Sequence, residues 1–117
     1  MDKLTLEEHI ESEIERAAEM SKASDNEAAF RHLERAHVLG QASTYHHTRV
    51  HWLMLKHGIR IGNRREIAGQ LLRIAGAATK TPLGVYRKGN TGGANVSPIK
   101  PMPVADDLAE ILREAGR

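Results

Sequence analysis

Apolar residues recur every three to four positions through the first two-thirds of the chain, and residues that start or stop helices stand between these runs. Such spacing is typical of amphipathic α-helices, because it places the apolar side chains on one face. We therefore predict an all-α protein. It is an antiparallel helical bundle of about four main helices, arranged as helical hairpins, with a long Gly/Pro-rich C-terminal strap and a short last helix.

Capping residues set the ends of the first two predicted helices. Thr5 with Glu8, and Ser24 with Glu27, have the spacing of capping boxes. Gly40 is predicted as the left-handed stop of the second helix. The predicted helices, including the later ones, cover residues 6–20, 25–39, 44–57, 64–78 and 105–114.

The fourth helix is predicted to start after Asn63, which is a good N-cap residue. Glu66 is predicted to form a solvated ion pair with Arg73 on its polar side. The apolar stripe that we expect to face the core consists of Ile67, Leu71, Ile74 and Ala78.

A chain of 117 residues is most simply one domain, residues 1–117. Residues 79–104 hold all four prolines and are predicted as an extended loop within it. Apolar residues in this loop indicate a strap that packs across the helices: Leu83, Val85, Val96, Ile99, Met102 and Val104. Its glycine-rich part is either a series of tight turns, an anion-binding nest, or a lid whose residues Asn90, Thr91 and Asn95 cover or hydrogen-bond the histidines described next.

Two predicted helices carry side chains that favour metal coordination. Glu34 and His37 stand three residues apart on the second helix, and His47 and His51 stand four apart on the third. Both spacings place two side chains on one helix face. A short loop joins the helices, so the four groups can converge as ligands of a transition metal ion, either Zn, Fe, Ni, Mn or Cu. Two alternatives stay open: a buried polar network without metal, and a pH-responsive histidine cluster.

Composition excludes several other functions. The chain has no cysteine, so thiolate metal sites and cysteine nucleophiles are absent. Its four aromatic residues are too few for a nucleic-acid stacking platform. No apolar run is long enough to span a membrane, and we expect a cytoplasmic protein. No serine or threonine stands in a recognisable nucleophile motif, so we favour a binding protein, and an enzyme would be metal-dependent.

Charge is distributed unevenly along the chain. Residues 38–100 contain 10 Lys/Arg and 1 Asp/Glu, whereas residues 1–37 contain 5 and 10. The cations of the third and fourth helices form a predicted basic face for an acidic partner: Arg49, Lys56, Arg60, Arg64, Arg65 and Arg73. The alternative function is therefore a tetratricopeptide-like helical-hairpin interaction module. The partner is not identified by the sequence, and a homodimer stays open.

Several short motifs resemble a bacterial family known only as domain of unknown function 3703. The resemblance covers nearly all of residues 25–112 and implies no activity. It rests on Glu34-Arg-Ala-His37-Val-Leu-Gly40-Gln41, His47-Thr-Arg-Val-His51-Trp52, Gly69-Gln70, Gly89-Asn-Thr-Gly-Gly-Ala-Asn-Val96 and Pro101-Met-Pro103.

Overall fold

The computed structural model describes residues 3–83, 88–94, 96 and 101–117. The described residues form five α-helices and a short 3-10 turn, with no strand among them. This confirms the predicted all-α class, with four main helices and a short last one. The helices are α1 (Leu6–Lys22), α2 (Asn26–Gly40), α3 (Thr44–Ile61), α4 (Arg64–Lys80) and α5 (Asp106–Glu114), and the 3-10 turn is Thr81–Leu83.

Consecutive main helices pack against one another: α1 against α2, α2 against α3, and α3 against α4. The α3–α4 pair is antiparallel. Gly58 lies against Glu66 near the connecting turn, whereas His47 contacts Thr81 at the far end of α4. None of the helices in the described part of the chain is both long and apolar enough to cross a membrane.

Two predicted helix starts are confirmed by their capping hydrogen bonds. The Thr5 hydroxyl accepts from the Glu8 amide at 3.2 Å, and the Glu8 carboxylate accepts from the Thr5 amide at 3.1 Å. At α4, the Asn63 side chain accepts from the Glu66 amide at 3.0 Å. Each contact satisfies an amide that the first turn of a helix leaves without an intrahelical partner.

The predicted cap of α2 is wrong by one residue. Asp25, rather than Ser24, accepts from the Ala28 amide at 3.1 Å. Ser24 has a φ of 61° and belongs to the turn before the helix. The aspartate side chain reaches the amide three residues on as readily as serine would, so capping boxes alone did not separate the two positions.

Gly40 serves close packing rather than the helix termination that the sequence predicted, and Gly58 serves close packing as well. Gly40 is the last residue of α2, without a left-handed φ, and a Cβ there would lie 2.8 Å from the His46 Cβ. Gly58 lies inside α3, where a Cβ would meet the Glu66 side chain at 3.3 Å. The left-handed end of α3 is Gly62, with a φ of 72°, so α3 runs four residues beyond its predicted end.

The aliphatic core lies between α1, α2, α3 and α5. Its completely buried members include Ile10, Ala36, Val50 and Met54. Leu108 and Leu112 of α5 complete it, so the last helix covers the core on the side of α2.

The predicted apolar stripe of α4 is only partly right, because Ile67 and Ile74 are half-buried but the most deeply buried side chains of this helix include polar ones. Glu66 and Gln70 are buried, whereas Leu71 is 57% exposed. The polar residues and the apolar residues of α4 both recur at helical spacing, so periodicity alone could not predict which of the two faces is buried. The polar set is inside because the neighbouring helices present histidines there rather than aliphatic side chains.

The predicted strap also differs in part. Leu83 is 79% exposed and does not pack across the helices. Val96, Met102 and Val104 are half-buried, as a strap requires. Val85 and Ile99 lie outside the described residues.

Candidate metal centre

Three histidine rings meet between α2 and α3. His37 comes from the last turn of α2, and His47 and His51 come from successive turns of α3. Their ring centroids lie 4.6–5.0 Å apart, and one nitrogen of each ring lies within 4.8 Å of the others. The three residues are only 2–8% exposed. The structure thus brings together three of the four predicted metal-binding residues.

Each ring is held by a hydrogen bond on its Nδ1 atom, the nitrogen next to the side-chain branch. His37 Nδ1 donates to the Asn90 backbone carbonyl at 2.7 Å. His47 Nδ1 lies 2.7 Å from the Thr81 hydroxyl, and His51 Nδ1 lies 2.6 Å from Gln70 Oε1. The carbonyl and amide oxygens only accept, so they fix the orientation and the tautomer of His37 and His51 and leave Nε2 as the coordinating atom. The Thr81 hydroxyl can donate or accept, so it fixes the orientation of the His47 ring but not its tautomer.

The Gln70 amide has only one orientation that satisfies its neighbours. Its nitrogen donates to Glu66 Oε2 at 2.6 Å and to the Gly92 carbonyl at 2.8 Å. Both of those atoms are acceptors, so Gln70 must present its oxygen to His51. His51 Nδ1 therefore carries the proton, and His51 Nε2 carries a lone pair.

His37 and His51 consequently direct two lone pairs at each other. Their Nε2 atoms lie 3.0 Å apart, and in the neutral rings both protons are on Nδ1. Only a cation between them, either a proton or a metal ion, makes this contact favourable. Two tetrahedral ligands at zinc–nitrogen distances of 2.0–2.1 Å would be separated by about 3.4 Å, which is close to the observed spacing.

Burial disfavours the proton. It lowers the pKa of His51 to about 3 and that of His47 to about 4, and it holds the pKa of His37 well below its ordinary range. The mutual repulsion of the rings adds to the effect at His37 and His51. At neutral pH the three rings are therefore neutral, and three nitrogen lone pairs are available to a metal ion.

The glycine-rich loop lies directly on the cluster. Gly92 has a φ of 86°, and a Cβ there would lie 2.7–2.8 Å from three atoms of the His37 ring. The Ala94 amide donates to the Glu66 carboxylate at 3.1 Å, and the Gly89 amide donates to Gln41 Oε1 at 2.9 Å. Glycine is needed at position 92 because the backbone touches the ring with a left-handed φ.

The predicted lid residues differ in where they lie relative to the histidines. Asn90 touches the site through its backbone carbonyl, and its side chain accepts from the Gly92 amide at 2.9 Å. Thr91 is partly buried beside Glu34. Asn95 lies outside the described residues.

Glu34 is not part of the group of converging nitrogens. It precedes His37 by three residues and so points about 60° away around α2. It is half-buried, and this burial raises the pKa of its carboxyl against the opposing effect of the Thr91 hydroxyl.

The groups that orient the histidines were not predicted from the sequence. Glu66 was predicted to be solvated beside Arg73, but it is buried and bonds Gln70. Arg73 instead donates to two backbone carbonyls, at 3.1 and 2.7 Å. Glu66 and Gln70 stand four residues apart, so their spacing predicts that they share a helix face but not that this face is buried.

The predicted basic face is reduced by internal contacts. Arg49 pairs with Glu11, and Arg73 is occupied by backbone carbonyls. The other four cations remain exposed: Lys56, Arg60, Arg64 and Arg65.

The fold and the site define a small helical protein with a buried cluster of three histidines. Residues 4–112 match the model of the family described as Protein of unknown function (DUF3703), and the chain belongs to that family. The match includes all of α1, which the motif resemblance had left out. No curated protein and no solved structure shows significant similarity to the chain. The motifs that carry the resemblance supply all three histidines, Gln70 and the loop that lies on them.

Proposed function

We propose that the protein binds one divalent transition metal ion through the Nε2 atoms of His37, His47 and His51. The observation that carries the proposal is the 3.0 Å approach of two Nε2 atoms whose rings both carry their protons on Nδ1. A metal ion turns this unfavourable contact into two bonds. A polar network without metal leaves the contact unfavourable, and a protonated cluster opposes the lowered pKa of all three rings.

The donor set restricts the metal. Three imidazoles without sulfur suit Zn, Cu, Ni or Fe, and are less suited to Mn, which prefers oxygen ligands. Structural zinc sites usually have four protein ligands, whereas sites with three leave one position for water or a substrate. We therefore propose a metal-binding protein whose bound ion has one coordination position that water or a substrate can occupy. Glu34, which lies one turn from His37, stays a candidate for that position after side-chain movement.

Cobalt titration tests this proposal directly. Co²⁺ bound by three imidazoles in a tetrahedral site gives visible absorption bands that the hydrated ion lacks. We expect these bands to saturate at one equivalent in the natural protein and to disappear in His51→Ala. His9→Ala is the matched control, because His9 lies on α1 outside the cluster. If Co²⁺ gave the same absorption bands in His51→Ala and His9→Ala, the histidine cluster would be ruled out as the binding site.

A further inference from the structure

A row of large apolar side chains lies exposed along α3. Tyr45, Trp52 and Ile59 are spaced by seven residues, which keeps them on nearly the same face of a helix. Trp52 is 53% exposed and Ile59 is 59% exposed. Aromatic residues in such positions are typical of protein interfaces.

A second exposed row follows α4. Leu71 and Leu72 are 57% and 69% exposed, and Ala68 and Ala75 flank them at helical spacing. This row is outside because the inward side of α4 carries the polar residues that serve the histidines. The helix packs chiefly against α3, which leaves its outer side uncovered among the described elements.

The two rows lie on the same side of the α3–α4 hairpin. His51 and Gln70 face each other across it, with 2.6 Å between Nδ1 and Oε1. One residue further along each helix, the side chain has turned by 100°. Because the helices are antiparallel, these two rotations run in opposite directions when both helices are viewed from the same end. Trp52 and Leu71 therefore point to the same outer side of the hairpin. We call this surface the hairpin face.

The surroundings of the hairpin face are positively charged. The exposed charged side chains of α3 and α4 include Lys56, Arg60, Arg64 and Arg65. The only acidic residue in residues 38–100 is Glu66, which is buried. No exposed acid of either helix therefore offsets these cations.

We propose that the hairpin face binds an acidic amphipathic helix of a partner protein. Two antiparallel helices form a groove that accepts a third helix, and the apolar rows supply contacts at helical spacing. The cations beside the rows match carboxylates on such a helix. A second copy of this face fits poorly, because it would place cations against cations. The α1 helix of a second copy is acidic but fits poorly too. Its exposed side chains are mainly glutamates and do not form an apolar row that could pack against the hairpin face.

The test uses a synthetic amphipathic peptide with leucines on one face and glutamates on the other. Trp52 is the only tryptophan of the chain and so reports burial of the hairpin face by a blue shift of its fluorescence. A peptide with the same leucines but lysines in place of glutamates is the charge control. Leu71→Glu tests whether the peptide binds the hairpin face. Leu4→Glu is the matched control, because Leu4 is exposed to a similar extent but lies before α1.

We expect the acidic peptide to bind and shift the Trp52 emission, with affinity that falls as salt is added. Leu71→Glu should weaken binding by about tenfold or more, as at a central interface residue. Leu4→Glu should bind like the natural protein, and removal of metal by EDTA should change nothing.

Four results would overturn the proposal. One is equal binding of the lysine peptide, and another is no shift with either peptide. A third is a shift caused by anionic lipid vesicles and not by the acidic peptide, which would point to a membrane surface. The last is burial of Trp52 by self-association, seen as a concentration-dependent mass in analytical ultracentrifugation.

Discussion

Acidification should destabilise the metal-free protein through its buried histidines. The unfolded chain binds protons at the ordinary histidine pKa of 6.5, whereas the folded protein keeps His51 neutral to about pH 3 and His47 to about pH 4. Below pH 6.5 the unfolded state therefore takes up protons that the folded state excludes. The stability contributed by the neutral rings is complete above pH 6.5 and is lost as the pH falls toward 4.

The size of the loss follows from these pKa values. Between pH 7 and pH 5, each ring costs about 2 kcal/mol of folding free energy, at roughly 1.4 kcal/mol for each pH unit below 6.5. His47 and His51 together account for about 4 kcal/mol, and His37 acts in the same direction. A loss of this size is a large part of the usual stability of a small domain.

Urea unfolding followed by circular dichroism, in EDTA at pH 7 and pH 5, measures the loss. The His47→Gln/His51→Gln variant is the comparison, since it keeps polar side chains but removes two titrating groups. We expect the natural protein to lose about 4 kcal/mol more than the variant over this interval. Equal losses would show that these rings are protonated in the folded protein, and the argument for a neutral lone-pair cluster would fail.

Three further predictions concern the site and the loop above it. Zn²⁺ at one hundred times its Kd should add about 2.7 kcal/mol of stability to the natural protein at pH 7, seen as a rise in Tm; no rise would count against metal binding to the folded state. Gln70→Leu should weaken metal binding by about 10- to 100-fold in a chelator competition, because His51 loses the acceptor that fixes its tautomer; unchanged affinity would show that the Gln70 contact is not needed. Gly92→Ala should cost about 1–3 kcal/mol in urea unfolding, because its Cβ collides with the His37 ring at a left-handed φ. The control Gly76→Ala meets no atom within 4 Å and should stabilise α4 by up to about 1 kcal/mol; similar effects of the two substitutions would contradict the close approach of the loop.

The helices could be predicted because their signals are local. The capping contacts of Thr5 and Asn63 depend only on residues three positions away, and both were predicted correctly. The roles of Gly40 and Gly58 could not be predicted, because the atoms that require glycine there belong to other helices. The same limit explains α4, whose inward face depends on the histidines that it meets across the hairpin.

The histidine cluster could be predicted in part. The spacing of His47 and His51 places both on one face of α3, and the short α2–α3 connection brings His37 near them. The partners of their Nδ1 atoms come from α4, Thr81 and the glycine-rich loop. These Nδ1 contacts join residues 19 to 53 positions apart in the chain, and no periodicity in the sequence reports such pairings.

Native mass spectrometry with elemental analysis, on untagged protein purified without chelators, shows whether the histidine cluster holds a metal ion. We expect one transition metal ion per chain in the natural protein and in His9→Ala, and none in His37→Ala/His51→Ala. All three proteins should show the same helical circular dichroism, so that loss of metal is not loss of fold. A folded natural protein that carries no metal and takes up no added Zn, Cu, Ni or Fe would rule out the proposed metal site.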